Sequence, residues 1–133
     1  MVSVMAKKIL IVDDDADFIE INASVLQASG FEIESASTSE QALKKLENEK
    51  FDLAIVDLMI EDLDSGFNLT YAIRDHEKLH NLPVLMLTSA PRKTGVNINF
   101  PEGKDWMKVD DFAEKPLKPA ELVKRVTKLL ENK

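Results

Sequence analysis

The sequence predicts an α/β fold: a doubly wound, five-stranded parallel sheet in the flavodoxin-like order 2-1-3-4-5, with the fourth helix irregular or missing. Short continuous apolar runs alternate with segments of helical spacing, the pattern of βαβ units around a sheet buried on both faces. Three of the runs end on oxygen-bearing side chains. Ile9-Leu10-Ile11-Val12 leads into Asp13-Asp14, Leu53-Ala54-Ile55-Val56 into Asp57, and Val84-Leu85-Met86-Leu87 into Thr88. A fourth, around Phe112-Ala113-Glu114, leads into Lys115-Pro116. The carboxyl ends of parallel strands open onto one crevice, and in this order the first and third strands are neighbours. Asp13, Asp14 and Asp57 are therefore expected side by side.

After the first strand, Phe18, Ile21, Val25 and Leu26 recur at helical spacing, and Gly30 sits where a left-handed helix stop is wanted. Phe31 to Ala36 alternates as a second strand. Thr38-x-x-Gln41 is a capping-box pattern ahead of Ala42, Leu43 and Leu46, so a second helix is expected to about Glu49. Beyond the third strand, Phe67, Leu69, Tyr71 and Ile73 form a weaker helical stripe ending before Leu82-Pro83. A helix is then due from Pro91 to Val109. Gly95, Pro101 and Gly103 interrupt it, however, and Val96, Ile98 and Phe100 alternate with Asn97 and Asn99 at the period of a strand. The last helix opens with Pro119 in its first turn and directs Leu122, Val126, Leu129 and Leu130 to the core.

At 133 residues the chain has the length of one domain. Its 24 acidic against 17 basic residues give a net charge of −7, which argues against direct nucleic-acid binding. Lys124, Arg125 and Lys128 read as the solvated face of the last helix, and His76 and His80 as exposed residues at a helix end. No apolar run approaches the roughly 20 residues of a membrane span, and Met1 to Ala6 lacks the basic start of a signal peptide. The absence of cysteine agrees with a reducing compartment. The expectation is a soluble, cytoplasmic protein without direct nucleic-acid or membrane contact, with residues 1–6 an N-terminal leader and 7–133 the folded domain.

Three aspartates around one crevice repel one another unless a cation or shared proton offsets them. Mg²⁺ suits such a site, because it prefers carboxylates, keeps several waters and bridges to phosphate oxygens. Val12-Asp13-Asp14, Val56-Asp57-Leu58-Met59, Leu87-Thr88-Ser89-Ala90 and Glu114-Lys115-Pro116-Leu117 together resemble the CheY-like receiver domain of two-component response regulators. The resemblance runs from about Lys7 to Leu130, and four motifs in the right order make it specific.

That resemblance implies a phosphoacceptor, Asp57, which takes a phosphoryl group from a sensor histidine kinase or phosphotransfer protein in a Mg²⁺-dependent reaction. It implies metal ligation by Asp14 directly, Asp13 through water, Asp57, and the Met59 backbone carbonyl. Lys115 would neutralise a phosphoryl oxygen from a commonly cis Lys-Pro bond, Thr88 would hydrogen-bond the group, and Phe112 would be the switch aromatic. Trp106, just before the strand bearing Phe112, would report the change. Helix capping is the ordinary alternative for Asp14 or Asp15, with Asp15 and Asp17 read as first-turn acids. Strand packing is the alternative for Thr88 and Phe112.

Two departures stand out. Ile60-Glu61 replaces the usual Met-Pro pair, with Gly66 nine residues after Asp57, and the interval from Thr88 to Lys115 is about five residues long in excess. The expected role is a phosphorylation switch that catalyses only its own modification and loss, is not a metabolic enzyme, and signals to a downstream protein by contact. Two alternatives stay open here: a haloacid-dehalogenase-type phosphatase using the D-x-D of Asp13-Asp14-Asp15, and a pseudo-receiver that binds a partner without phosphorylation.

Overall fold

The computed structural model describes residues 7–57, 65–88, 110–114 and 117–131. The element order is β1 (Lys8–Val12), α1 (Ala16–Ala28), β2 (Glu32–Ala36), α2 (Ser39–Asn48), β3 (Leu53–Asp57), α3 (Ser65–Asp75), β4 (Val84–Thr88), β5 (Asp111–Glu114) and α4 (Pro119–Glu131). The strands form one sheet in the order β2-β1-β3-β4-β5, every pair parallel, as the sequence predicts. The stretch from Pro91 to Val109, expected from the sequence to lack a regular helix, lies with Trp106 outside the described residues.

The reason the strands read as unbroken apolar runs lies in their alternation. Ile9, Ile11, Leu53, Ile55, Leu85 and Leu87 face one core with Leu26, Ala113, Leu122 and Val126, while Leu10, Val12, Ala54, Val56, Val84 and Met86 face the other with Ala42, Leu46, Leu69 and Ile73. Thus α1 and α4 cover one face of the sheet, and α2 and α3 the other. Both parities are buried, so no polar residue occurs in β1 after Lys8 or in the first four positions of β3.

The helix boundaries follow from local chemistry. Gly30 has φ +98, and a pair of reversed bonds closes α1: Gly30 N–H donates to Gln27 O at 3.0 Å and Phe31 N–H to Leu26 O at 3.1 Å. A residue with a Cβ would be strained at that φ, which is why glycine ends this helix. Thr38 Oγ1 accepts Gln41 N–H at 3.1 Å to start α2, and the Gln41 side chain reaches back to accept Ser37 N–H at 3.1 Å. Pro119 opens α4.

Three expectations need correction. Ile21 is 61% exposed, and Asn22 is buried in its place with its amide donating to Phe18 O at 2.8 Å. On α3, Thr70 is buried and Tyr71 is 41% exposed, so the inward face runs through Leu69, Thr70 and Ile73. Arg125 is not a solvated base: it donates to Asp111 on β5 and to Glu121 one turn earlier, each at 2.8 Å.

The start of β5 is pinned from the other side. Asp110 Oδ2 accepts Val84 N–H at 2.7 Å and Arg74 Nη2 at 2.8 Å, while Asp110 N–H donates to Val84 O at 2.9 Å. Arg74 also donates to Leu82 O at 2.6 Å and His80 O at 3.1 Å. One guanidinium from α3 therefore ties the approach to β4 and the entry to β5 together. This fixes the register Leu85↔Asp111, Met86↔Phe112, Leu87↔Ala113 and Thr88↔Glu114.

Candidate functional site

The acidic crevice is a direct result of strand register. Val12 pairs with Val56, so Asp13 and Asp57 stand level at the ends of adjacent strands. Asp57 in turn pairs with Leu87, which places the last residue of β4, Thr88, one step beyond it. Carboxylate oxygens of Asp13, Asp14 and Asp57 lie within 4.8 Å of one another. Asp13 is 1% and Asp57 8% exposed, whereas Asp14 is open to solvent.

The consecutive aspartates Asp13, Asp14 and Asp15 divide the work. Asp13 continues the ladder, its N–H donating to Ala36 O at 3.0 Å, and its Oδ1 accepts Asp15 N–H at 2.9 Å. Asp15 is the N-cap of α1, its Oδ1 accepting Asp17 N–H at 3.0 Å and Phe18 N–H at 3.2 Å. The cap is therefore Asp15 and not Asp14, and Asp15 is not merely a first-turn acid; Asp17 keeps that place. The cap also weakens the phosphatase alternative. That chemistry requires Asp15 as a proton donor to a leaving group, but its carboxylate is an acceptor committed to two amides of its own helix.

Of the other predicted site residues, Thr88 closes β4 and Phe112 lies in β5 opposite Met86. Met59 and Lys115 lie outside the described residues. His76 is not a freely solvated residue: its Nε2 meets Glu47 Oε2 at 3.3 Å, and its Nδ1 accepts Lys78 N–H at 3.1 Å. It joins α2 to the end of α3, on the side of the sheet away from the acids.

The donor set fits a small, hard divalent cation. With Mg–O distances of about 2.1 Å, opposite ligands of an octahedron lie about 4.2 Å apart. Carboxylate oxygens within 4.8 Å match that span when one of them acts through a water. Two of the three acids are buried, so their mutual repulsion is poorly screened and a cation offsets it.

A doubly wound sheet with acids at its switch point defines an α/β domain whose ligand crevice could take a cation. The chain belongs to the response regulator receiver domain family, whose description matches residues 9–127. It is 35% identical over 128 residues to the transcriptional regulatory protein GltR of Pseudomonas aeruginosa, covering 96% of this chain and 50% of that protein. It is also 35% identical over 126 residues to the alkaline phosphatase synthesis transcriptional regulatory protein PhoP of Bacillus subtilis, covering 95% and 49%. The chain thus spans about half the length of these curated relatives. Among solved structures, it matches the chemotaxis response regulator CheY4 of Vibrio cholerae with a TM-score of 0.78 at 26% identity, over 94% of this chain and 99% of that one. A CheY-like receiver domain protein from Methanospirillum hungatei matches with a TM-score of 0.80 at 27% identity, over 96% of each chain. The family is a signalling domain of two-component systems and not a classical enzyme. Among the described residues no helix is long and apolar enough to cross a membrane.

Proposed function

We propose that this domain is a phosphorylation-dependent switch whose phosphoacceptor is Asp57. The observation that carries the reading is the meeting of two buried carboxylates and one exposed carboxylate at the ends of β1 and β3, one strand away from Thr88. A carboxylate oxygen of Asp57 attacks the phosphorus of a phosphohistidine. The new O–P bond forms as the N–P bond breaks, and the departing imidazole nitrogen takes up a proton. Mg²⁺, when bound, neutralises charge on the transferred oxygens.

Asp14 would hold the metal directly, and Asp13, whose Oδ1 accepts Asp15 N–H, would hold it through a water. By the family's pattern the Met59 carbonyl would complete the protein donors. Lys115 meets the phosphoryl group from the end of β5, Thr88 donates its hydroxyl to it, and Phe112 follows Thr88. The donor is a sensor histidine kinase or a phosphotransfer protein, the setting is the cytoplasm, and the output is contact with a downstream protein. The domain catalyses its own phosphorylation and dephosphorylation and no other turnover.

Intact mass after incubation with Mg²⁺ and acetyl phosphate tests the reading. One phosphoryl group per chain is expected, lost in Asp57→Asn while the fold is kept. Labelling of the variant to the parent's extent would assign the phosphate elsewhere. Continued turnover of an aryl phosphate would identify a hydrolase instead, and no labelling at all a pseudo-receiver.

A further inference from the structure

At the end of the sheet opposite the acids, a groove of about 420 Å³ opens between the C-terminal end of α2, the turn into β3 and the turn that follows α3. Its floor is apolar. Leu46, Phe51 and Leu82 are buried core residues, and Leu79 packs against them while staying partly open. The volume falls within the roughly 300–1,000 Å³ usual for small-molecule sites.

The lining sets Glu47 and Glu49 against Lys50 and Lys78, and the two glutamates already have basic neighbours. Glu49 is bound by the Lys8 ammonium, which also lies 4.9 Å from the centre of the Phe51 ring. The hydrogen bonds that Lys8 donates to Glu49 and to Glu34 hold it protonated above its ordinary range. Glu47 is engaged by His76 Nε2 at 3.3 Å. Lys50 and Lys78 also line the groove, and among the described residues neither ammonium has a carboxylate partner. The groove thus sets two ammoniums without acidic partners among the described residues beside partly open apolar surface.

We infer that the groove is a binding site for a small amphiphilic anion. The ligand class is an aromatic or alicyclic carboxylate whose apolar body covers Phe51 and Leu79 while its carboxylate meets Lys50 and Lys78. An apolar floor alone would take neutral ligands equally well, and the unpartnered ammoniums are what select the anion. The site is independent of the assignment of Asp57.

The probe is 2-naphthoate, titrated into the isotope-labelled chain and followed by NMR. Saturable shifts are expected at Phe51, Leu79 and Leu82. Neutral 2-naphthamide should bind several-fold more weakly. An exposed ion pair is worth up to about fivefold in affinity, so the double variant Lys50→Gln with Lys78→Gln should lose roughly tenfold for naphthoate and little for naphthamide. Both lysines are exposed, and an unchanged circular dichroism spectrum checks that the variant folds. Equal binding of acid and amide, an unaffected double variant, or shifts centred elsewhere would overturn the proposal. So would movement of the groove resonances on dilution without probe, which would give the groove to a second copy of the chain.

Discussion

Removing the Asp110 carboxylate should destabilise the protein by about 2–3 kcal/mol, and the structure says where that figure comes from. Asp110 Oδ2 is the acceptor for the N–H of Val84, a residue with 0% exposure, at 2.7 Å. An orphaned buried donor costs about 1–3 kcal/mol. The same oxygen meets Arg74, whose side chain is 18% exposed, at 2.8 Å, and a partly exposed pair adds about 0.2–1 kcal/mol. Asp110→Asn keeps an oxygen for Val84 and should lose only the second part. In urea, where a domain of this size unfolds with a slope of about 1–3 kcal/mol/M, Asp110→Ala should lower the midpoint by about 1 M and Asp110→Asn by half of that or less. Amide exchange at Val84 should quicken in the alanine variant only. A midpoint shift equal in the two variants, or below the equivalent of about 0.5 kcal/mol for alanine, would show that Asp110 does not hold the start of β5.

Other outcomes follow from the acids and the charged edge. Mg²⁺ at ten times its dissociation constant should stabilise the parent by about 1.4 kcal/mol in thermal melts at low salt, and Asp14→Ala should remove most of that gain. Asp15→Ala should cost about 1 kcal/mol through loss of the α1 cap; a helix start unchanged in amide exchange would contradict the cap assignment. Hydrogen bonding from Lys45, then the bond and charge of Lys8, hold the Glu34 carboxyl below its ordinary value of 4.5. Its contribution is therefore present above that value and lost as pH falls through the depressed one. The stability gap between parent and Glu34→Gln should be seen at pH 7 and close at lower pH, and a gap that does not narrow would remove Glu34 from the account.

Much of this was legible because strand ends carry their own signal. An apolar run buried on both faces has no reason to stop at aspartate except to leave the core, so Val12-Asp13 and Val56-Asp57 marked both the sheet and the crevice. Gly30 and Thr38 were legible for the same local reason, each satisfying backbone groups within four residues. What the sequence hid depends on distance or on polar burial. Asn22 takes a buried position expected for an apolar neighbour because its amide is satisfied by Phe18 O, which hydropathy does not record. Arg125 looked solvent-facing because its partner Asp111 lies 14 residues away on another element. Three aspartates in a row gave no sign of which one caps, since all have the same propensity and only the direction of chain departure after Asp13 decides it.

The sheet order leaves β2 at one margin of the described sheet, with an unpaired row of backbone groups that another strand could extend. That margin carries Glu32, exposed to solvent, and Glu34 between Lys8 and Lys45. Two copies approaching margin to margin bring glutamate against glutamate, and like charges directly opposite oppose strand pairing. The charged side chains along β2 therefore guard this margin against pairing with a second copy.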